Sequence, residues 1–402
     1  MIGCNNMGSS KNRNGNKWGF ATTAIHGAFH ADPATGAVNP PIYMTSTFAQ
    51  RSPGVPISDY EYSRTRNPIR DVLEATLAAL EKGNYALSFA SGCAAFSTLL
   101  QSLPKNSHVL MSNDVYGGTL RLIDKVFTSP GLTYSQCDMT DLAEIKSNLQ
   151  QHKSVSLIWV ETPSNPLLQI IDIQKTAELK NQLCPSALLG VDNTFATPYL
   201  QNPLLMGADI VCHSTTKYIG GHSDLIGGAL ILNNKDLYDN LAFLQNAIGA
   251  IPSPMDCYFL IRSLKTLAIR MEKHCNNALS IAEFLTTQPE IDSVIYPGLP
   301  THPQYQLAKQ QMSHFGGMIS LTIKGSQTRA ISFLQQLKLF TLAESLGGVE
   351  SLIEHPALMT HAAIPSVHRQ KIGITDGFIR ISVGIEDKKD LLADLQQALK
   401  NS

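Results

Sequence analysis

The chain has 402 residues, 43% of them hydrophobic and only 16% charged, against a usual charged share of about 25%. Lys plus Arg total 31 and Asp plus Glu 32, so no net field attracts nucleic acid or anionic lipid, and a run of about eighteen apolar residues that could span a membrane is absent. The length suits two domains of about 100–200 residues each, and a surface so poor in charge points to extensive subunit contacts.

Taken in chain order, residues 1–18 are rich in Asn, Gly and Ser, carry Lys11, Arg13 and Lys17, and precede no apolar stretch, so they read as a disordered tail rather than a secretory signal. Residues 19–66 form an extended arm, in which Pro33, Pro40, Pro41, Pro53 and Pro56 deny a regular element up to about Asp59. A helix follows, with Asn67 as N-cap, Pro68 at its first position, Leu73, Leu77 and Leu80 on one face, and Gly83 as the stop. Apolar runs then alternate with helical patterns: Ala86–Ala90, Val109–Met111, Ser156–Val160, Leu188–Val191 and Asp209–Cys212. That alternation predicts an α/β domain over residues 67–260, built on a mainly parallel sheet with helices on both faces. Beyond the Pro-containing joint Ile251–Pro254, a long helix is expected from Asp256 to Thr286. Residues 261–402 make a smaller α+β domain, with strands Gly317–Ile323 and Phe378–Ser382 and a closing helix Asp387–Lys400 striped by Leu391, Leu392, Leu395 and Leu399. Seven scattered cysteines, odd in number and without a CxxC pair, read as reduced thiols of a cytoplasmic protein.

The segment His213–Asp224 carries the strongest chemical signal. Lys217 follows the apolar run ending at Cys212, which puts it beyond the carboxyl end of a strand, where open α/β sheets bind ligands. Ser214 and Thr216 beside it are phosphate-type donors, and a lysine in an apolar, glycine-lined site can lose its proton and attack a carbonyl. Asp192 ends the preceding strand, so crossover topology brings it to the same sheet edge. A lysine to bind the aldehyde and an acid to hold a pyridine nitrogen protonated fit pyridoxal phosphate. In Ser88–Ala95 a strand runs into a small-residue turn that opens a helix, where the N–H groups of Gly92 and Cys93 can cradle phosphate. Tyr116, on the glycine-rich loop Asp114–Thr119, can stack on a flat ring and serve as acid or base. Neither a Walker loop nor GxGxxG occurs, which argues against a dinucleotide enzyme, and no HExxH is present. His355 and His361 stand six apart around Pro356, a spacing that suits no metal site.

Tyr62–Pro68, Ser91-Gly92, Tyr116–Gly118, Glu161–Pro166, Asp192–Phe195, Ser214–Lys217 and Glu344–Leu352 stand in the order of the pyridoxal-phosphate-dependent enzymes of cysteine and methionine metabolism, which the chain resembles from about Gly19 onward. The resemblance implies an aspartate-aminotransferase-like fold, fold type I, and a homo-oligomer with shared active sites, a homotetramer. It implies that Lys217 holds the cofactor and moves protons, Asp192 pairs with the ring nitrogen, Tyr116 stacks on the ring, and Gly92, Cys93, Ser214 and Thr216 bind the phosphate. Tyr62 and Arg64 would reach that phosphate from a neighbouring subunit. Arg380 would take the carboxylate of a sulfur amino acid bidentately, with Ser345 and Asn165 nearby, Asn165 also lying beside the cofactor. Phe340–Ser345, Leu267–His274 and Ile295–Pro300 bring the likeness closest to the γ-cleaving members. The implied reaction is γ-elimination of cystathionine to cysteine, 2-oxobutanoate and ammonia, with Glu344 holding the distal amino group. β-Cleavage and γ-synthesis are its alternatives. Cys93 stands where the family usually carries Met or Leu and is expected to be a small buried residue with no thiol function.

Overall fold

The computed structural model describes residues 18–129, 131–152, 154–360, 362, 369–370 and 372–402. The expected tail, apart from Trp18, and His361 lie outside the described residues. The arm is more regular than its prolines suggested. Between Gly19 and Gly27 a helix, Phe20–His26, forms in a proline-free stretch, its first turn tied by the Thr23 N–H and hydroxyl to the Gly19 carbonyl, both at 3.0 Å. Further on, β1 (Gln50–Ser52) and β2 (Val55–Pro56) close a hairpin around Gly54, whose φ of 76° a glycine adopts freely.

The helix Pro68–Glu81 begins as expected, with Asn67 Oδ1 accepting from the Ile69 N–H at 3.2 Å and Leu73, Leu77 and Leu80 fully buried. Its stop differs. Lys82 takes the left-handed conformation at φ 62°, while Gly83 is required for a close approach, since a Cβ there would lie 2.5 Å from Ile231 Cγ2.

Seven strands make the large sheet: β3 (Tyr85–Phe89), β4 (His108–Ser112), β5 (Thr133–Cys137), β6 (Val155–Glu161), β7 (Leu188–Asp192), β8 (Ile210–His213) and β9 (Gly228–Leu232). Their order is β3-β9-β8-β7-β6-β4-β5, and only β9 runs against the rest. Sequence reading missed β5, whose Thr-Tyr-Ser-Gln-Cys shows no apolar run, and β9, whose five residues are too few to separate strand from helix by periodicity. Successive residues feed opposite faces. Val109 and Met111 pack with the helix Gly92–Ser102, while Leu110 packs with the helices Leu142–Gln151 and Ile173–Leu183.

The expected long helix is two, Pro254–Leu264 and Leu267–Thr286, broken at Lys265 and Thr266. A second sheet follows, built from β10 (Ile291–Ile295), β11 (Met318–Ile323), β12 (Thr341–Leu342), β13 (Leu352–Glu354) and β14 (Phe378–Ser382), in the order β10-β11-β14-β13-β12. The closing helix Lys388–Lys400 buries Leu391, Leu395 and Leu399 against it. The carboxyl ends of β6, β7 and β8 open on one cavity, which Arg380 of β14 also lines from the second sheet.

Candidate active site

β8 ends at His213, and the chain then turns tightly. Gly220 N–H reaches the Thr215 carbonyl at 2.8 Å, and Gly221, at φ 68°, reaches that of Lys217 at 2.7 Å. From the helix Leu267–Thr286, the buried Arg270 clamps the far side by donating to the Tyr218 carbonyl at 2.6 Å. Lys217 is thus held pointing across the cavity, where its Nζ donates to Ser345 Oγ at 2.8 Å. Burial, and next the Arg380 charge, bring its amine down from the usual 10.5 to about 8.

Asp192 is the last residue of β7, and its Oδ1 accepts twice from Thr194: from the backbone N–H at 3.0 Å and from the hydroxyl at 2.5 Å. The same hydroxyl oxygen accepts from the Ser214 N–H at 2.9 Å, joining the aspartate's turn to the lysine's loop. Glu161 stands opposite Asp192 in the parallel β6–β7 register and is buried, where Asp192 is half-buried. Burial and then the Asp192 charge push its carboxyl well above its ordinary range, and burial raises that of Asp192 as well. Glu161 Oε2 accepts from the Tyr116 N–H at 2.8 Å, which hangs the tyrosine loop over the sheet edge. The Tyr116 ring is 44% exposed and lines the cavity. Burial raises its phenol above 10, so it stays protonated near neutral pH.

Below, Ser91 caps the helix Gly92–Ser102 through its hydroxyl and the Ala94 N–H at 3.0 Å, leaving the amides of Gly92 and Cys93 at the helix N-terminus. A Cβ on Gly92 would come within 3.0 Å of Ser214, and one on Gly228 within 2.2 Å of the Ser91 carbonyl oxygen, so glycine is needed in both walls. The Thr216 hydroxyl donates to the Gly227 carbonyl at 3.2 Å and accepts its N–H at 3.0 Å. Cys93 corrects an expectation: it is exposed at the cavity, not buried, and partial burial holds its thiol above its usual value.

On the opposite wall, Arg380 donates to Asn165 Oδ1 at 2.9 Å and to the Ser345 carbonyl at 2.8 Å, and pairs with Glu354 Oε1 at 3.1 Å. Ser345 holds φ 87°, unusual for a residue with a side chain, and in that pose offers its carbonyl to Arg380 and its hydroxyl to Lys217. Glu344, beside it, is exposed at the cavity rim. The cavity measures about 320 Å3 and gathers every site residue named from the sequence except Tyr62 and Arg64. Those two line a separate cavity of about 460 Å3, where Arg64 donates to the Asn246 carbonyl at 2.7 Å. Three participants were given no role from the sequence: Glu161 and Thr194, which stood only within motifs, and Glu354. Glu161 had a signal, since it ends an apolar strand just as Asp192 does.

These residues suit pyridoxal phosphate. A helix N-terminus, small hydroxyls, the carboxyls that end β6 and β7 and a weakly basic lysine line the one cavity. Fold and cavity together define a pyridoxal-phosphate-dependent enzyme with a mixed α/β architecture around a mostly parallel sheet. The chain belongs to the Cys/Met metabolism PLP-dependent enzymes, whose family model matches residues 21–400. It is 51% identical over 384 residues to a cystathionine γ-lyase of Dictyostelium discoideum, covering 96% of this chain and 98% of that one. It is 52% identical over 388 residues to a cystathionine β-lyase of Coxiella burnetii, covering 96% and 99%. A crystal structure of cystathionine γ-synthase from Xanthomonas oryzae, in complex with aminoacrylate and cysteine, superposes with a TM-score of 0.92 at 41% identity, covering 96% and 99%. Among the described residues, no helix is long and apolar enough to cross a membrane.

Proposed function

We propose that the protein is a carbon–sulfur lyase of transsulfuration that cleaves cystathionine by γ-elimination to cysteine, 2-oxobutanoate and ammonia. The observation that carries this reading is the contact of Lys217 Nζ with Ser345 Oγ, which sets that weakly basic amine in the cavity lined by Asp192, Arg380 and Glu344. When bound, pyridoxal phosphate supplies an electron sink that makes the substrate's Cα–H and Cβ–H bonds acidic. Gly92, Cys93, Ser214 and Thr216 would hold its phosphate, Asp192 would keep its ring nitrogen protonated, and Tyr116 and Asn165 would contact the ring. Arg380 fixes the substrate's α-carboxylate with help from Asn165 and Ser345. Glu344 at the rim takes the distal ammonium. Lys217, half-neutral at about pH 8, removes and returns protons at Cα and Cβ, and Tyr116, protonated at neutral pH, delivers one to the departing sulfur.

Tyr62 and Arg64 line a different cavity from their own Lys217, which supports a site completed by a neighbouring chain and hence a homo-oligomer, a tetramer of paired sites. Six described cysteines without a disulfide accord with a cytoplasmic location. Incubation with cystathionine tests the reaction. 2-Oxobutanoate is expected; pyruvate with homocysteine would make it a β-lyase, and cystathionine formed from cysteine and an activated homoserine a γ-synthase.

A further inference from the structure

Arg380 is already engaged by a carboxylate of its own chain. In the antiparallel β13–β14 register Glu354 stands directly opposite Arg380, and cross-strand partners share a face. Their side chains are 1% and 3% exposed and meet at 3.1 Å. Glu354 Oε1 also accepts the Thr360 hydroxyl at 2.9 Å, whereas the buried Oε2, like Arg380 Nε, has no hydrogen-bond partner among the described residues. The guanidinium is therefore neutralised before any ligand arrives.

A second carboxylate brought to that guanidinium would leave two negative charges against one positive in a largely enclosed cavity. Two such close anions do not both stay ionised, and the more deeply buried one takes the proton. We propose that Glu354 takes up one proton when a substrate carboxylate docks on Arg380, so that substrate binding is proton-coupled. This deepens the proposed function and rests on its reading of Arg380 as the carboxylate receptor. The proton adds to Oε2, the partnerless oxygen; Arg380 keeps its charge, and no other bond is made or broken.

The groups facing Glu354 bear this out in direction. Burial raises its carboxyl above the ordinary range, Arg380 and the Thr360 hydroxyl oppose that rise, Glu344 adds to it, and Lys217 opposes it more weakly. His355, next along the chain, engages the Asp376 carbonyl oxygen through Nε2 at 2.9 Å. An incoming carboxylate joins the side that already prevails. Glu354 is thus a positioning residue that acts through Arg380.

Linkage sets the sign: binding that takes up a proton weakens as pH rises. The probe is butanoate, a carboxylate with no amine or sulfur, added to the enzyme loaded with its cofactor. Indicator dye in weak buffer counts protons, and equilibrium dialysis gives Kd at several pH values. Wild type is expected to take up on the order of one proton per site, with Kd rising by up to about 10-fold per pH unit. Glu354→Gln should bind butanoate with a Kd independent of pH and take up none. Infrared difference spectra of wild type alone, in which a protonated-carboxyl band should appear on binding, keep the test valid if that variant does not fold. Butanoate binding by wild type with neither uptake nor band overturns the inference, as does undiminished uptake in Glu354→Gln. Arg380→Ala separates the two levels. If it binds butanoate as wild type does, the reading of Arg380 falls and this inference with it; if it loses binding while wild type shows no uptake, the inference falls alone.

Discussion

In the proposed reaction the amine of Lys217 is neutral to capture an aldehyde and charged to return a proton, and an environment that brings it to about 8 gives access to both forms. Lys217→Ala is therefore expected to abolish turnover and the visible absorbance of the bound cofactor, read by spectrophotometry. In wild type depleted of cofactor, the amine is charged below about pH 8, so the rate of pyridoxal phosphate capture should climb with pH and level off above that value. Arg380 is the second largest cause of the depression, after burial, so Arg380→Gln should move that midpoint upward in stopped-flow traces. A midpoint that stays put would show that the two side chains do not sense each other. Lys217, Asp192 and Tyr116 were legible because each follows or ends a short apolar run, whereas Arg380, in the middle of β14, drew notice only through the family resemblance. Glu354, which ends the apolar pair Leu352-Ile353, carries the same mark but has no loop chemistry around it to draw notice.

Among the elements, the glycines at the sheet edge were legible as a turn but not as a fit. Gly228 begins β9 with the Ser91 carbonyl oxygen 2.2 Å from where a Cβ would stand and the Gly92 amide 2.7 Å away. Gly228→Ala should push the Ser91–Cys93 turn out of place and weaken cofactor binding by about 10-fold or more, measurable as a higher Kd for pyridoxal phosphate, since a clash of this size cannot be absorbed by backbone on both sides. The end of the helix Pro68–Glu81 separates two roles that sequence reading merged in Gly83. Lys82→Gly should stabilise the protein by about 0.5–1 kcal/mol, because Lys82 alone holds the left-handed turn. Gly83→Ala should destabilise it by about 1–3 kcal/mol through the contact with Ile231. Thermal or denaturant unfolding distinguishes the two.

For the whole molecule, the site draws on both sheets and, in the proposed assembly, on a second chain. If Arg64 serves a neighbour's cofactor, then Lys217→Ala and Arg64→Ala chains, each inactive or impaired alone, should recover activity when refolded together. With random pairing, about a quarter of the sites carry neither defect. No recovery in mixed oligomers would place Arg64 outside the shared site. The order of the motifs, the lysine beyond an apolar strand, the aspartate one crossover earlier and the glycine turn before a helix were determined by sequence, because each is a local pattern that the chain's own periodicity exposes. Only the tertiary structure decided what surrounds them. Asn165 meets Arg380 across 215 positions, and Glu161 meets Asp192 through strand register. Such pairings depend on how strands align and how the two sheets face each other, which no short window of sequence contains.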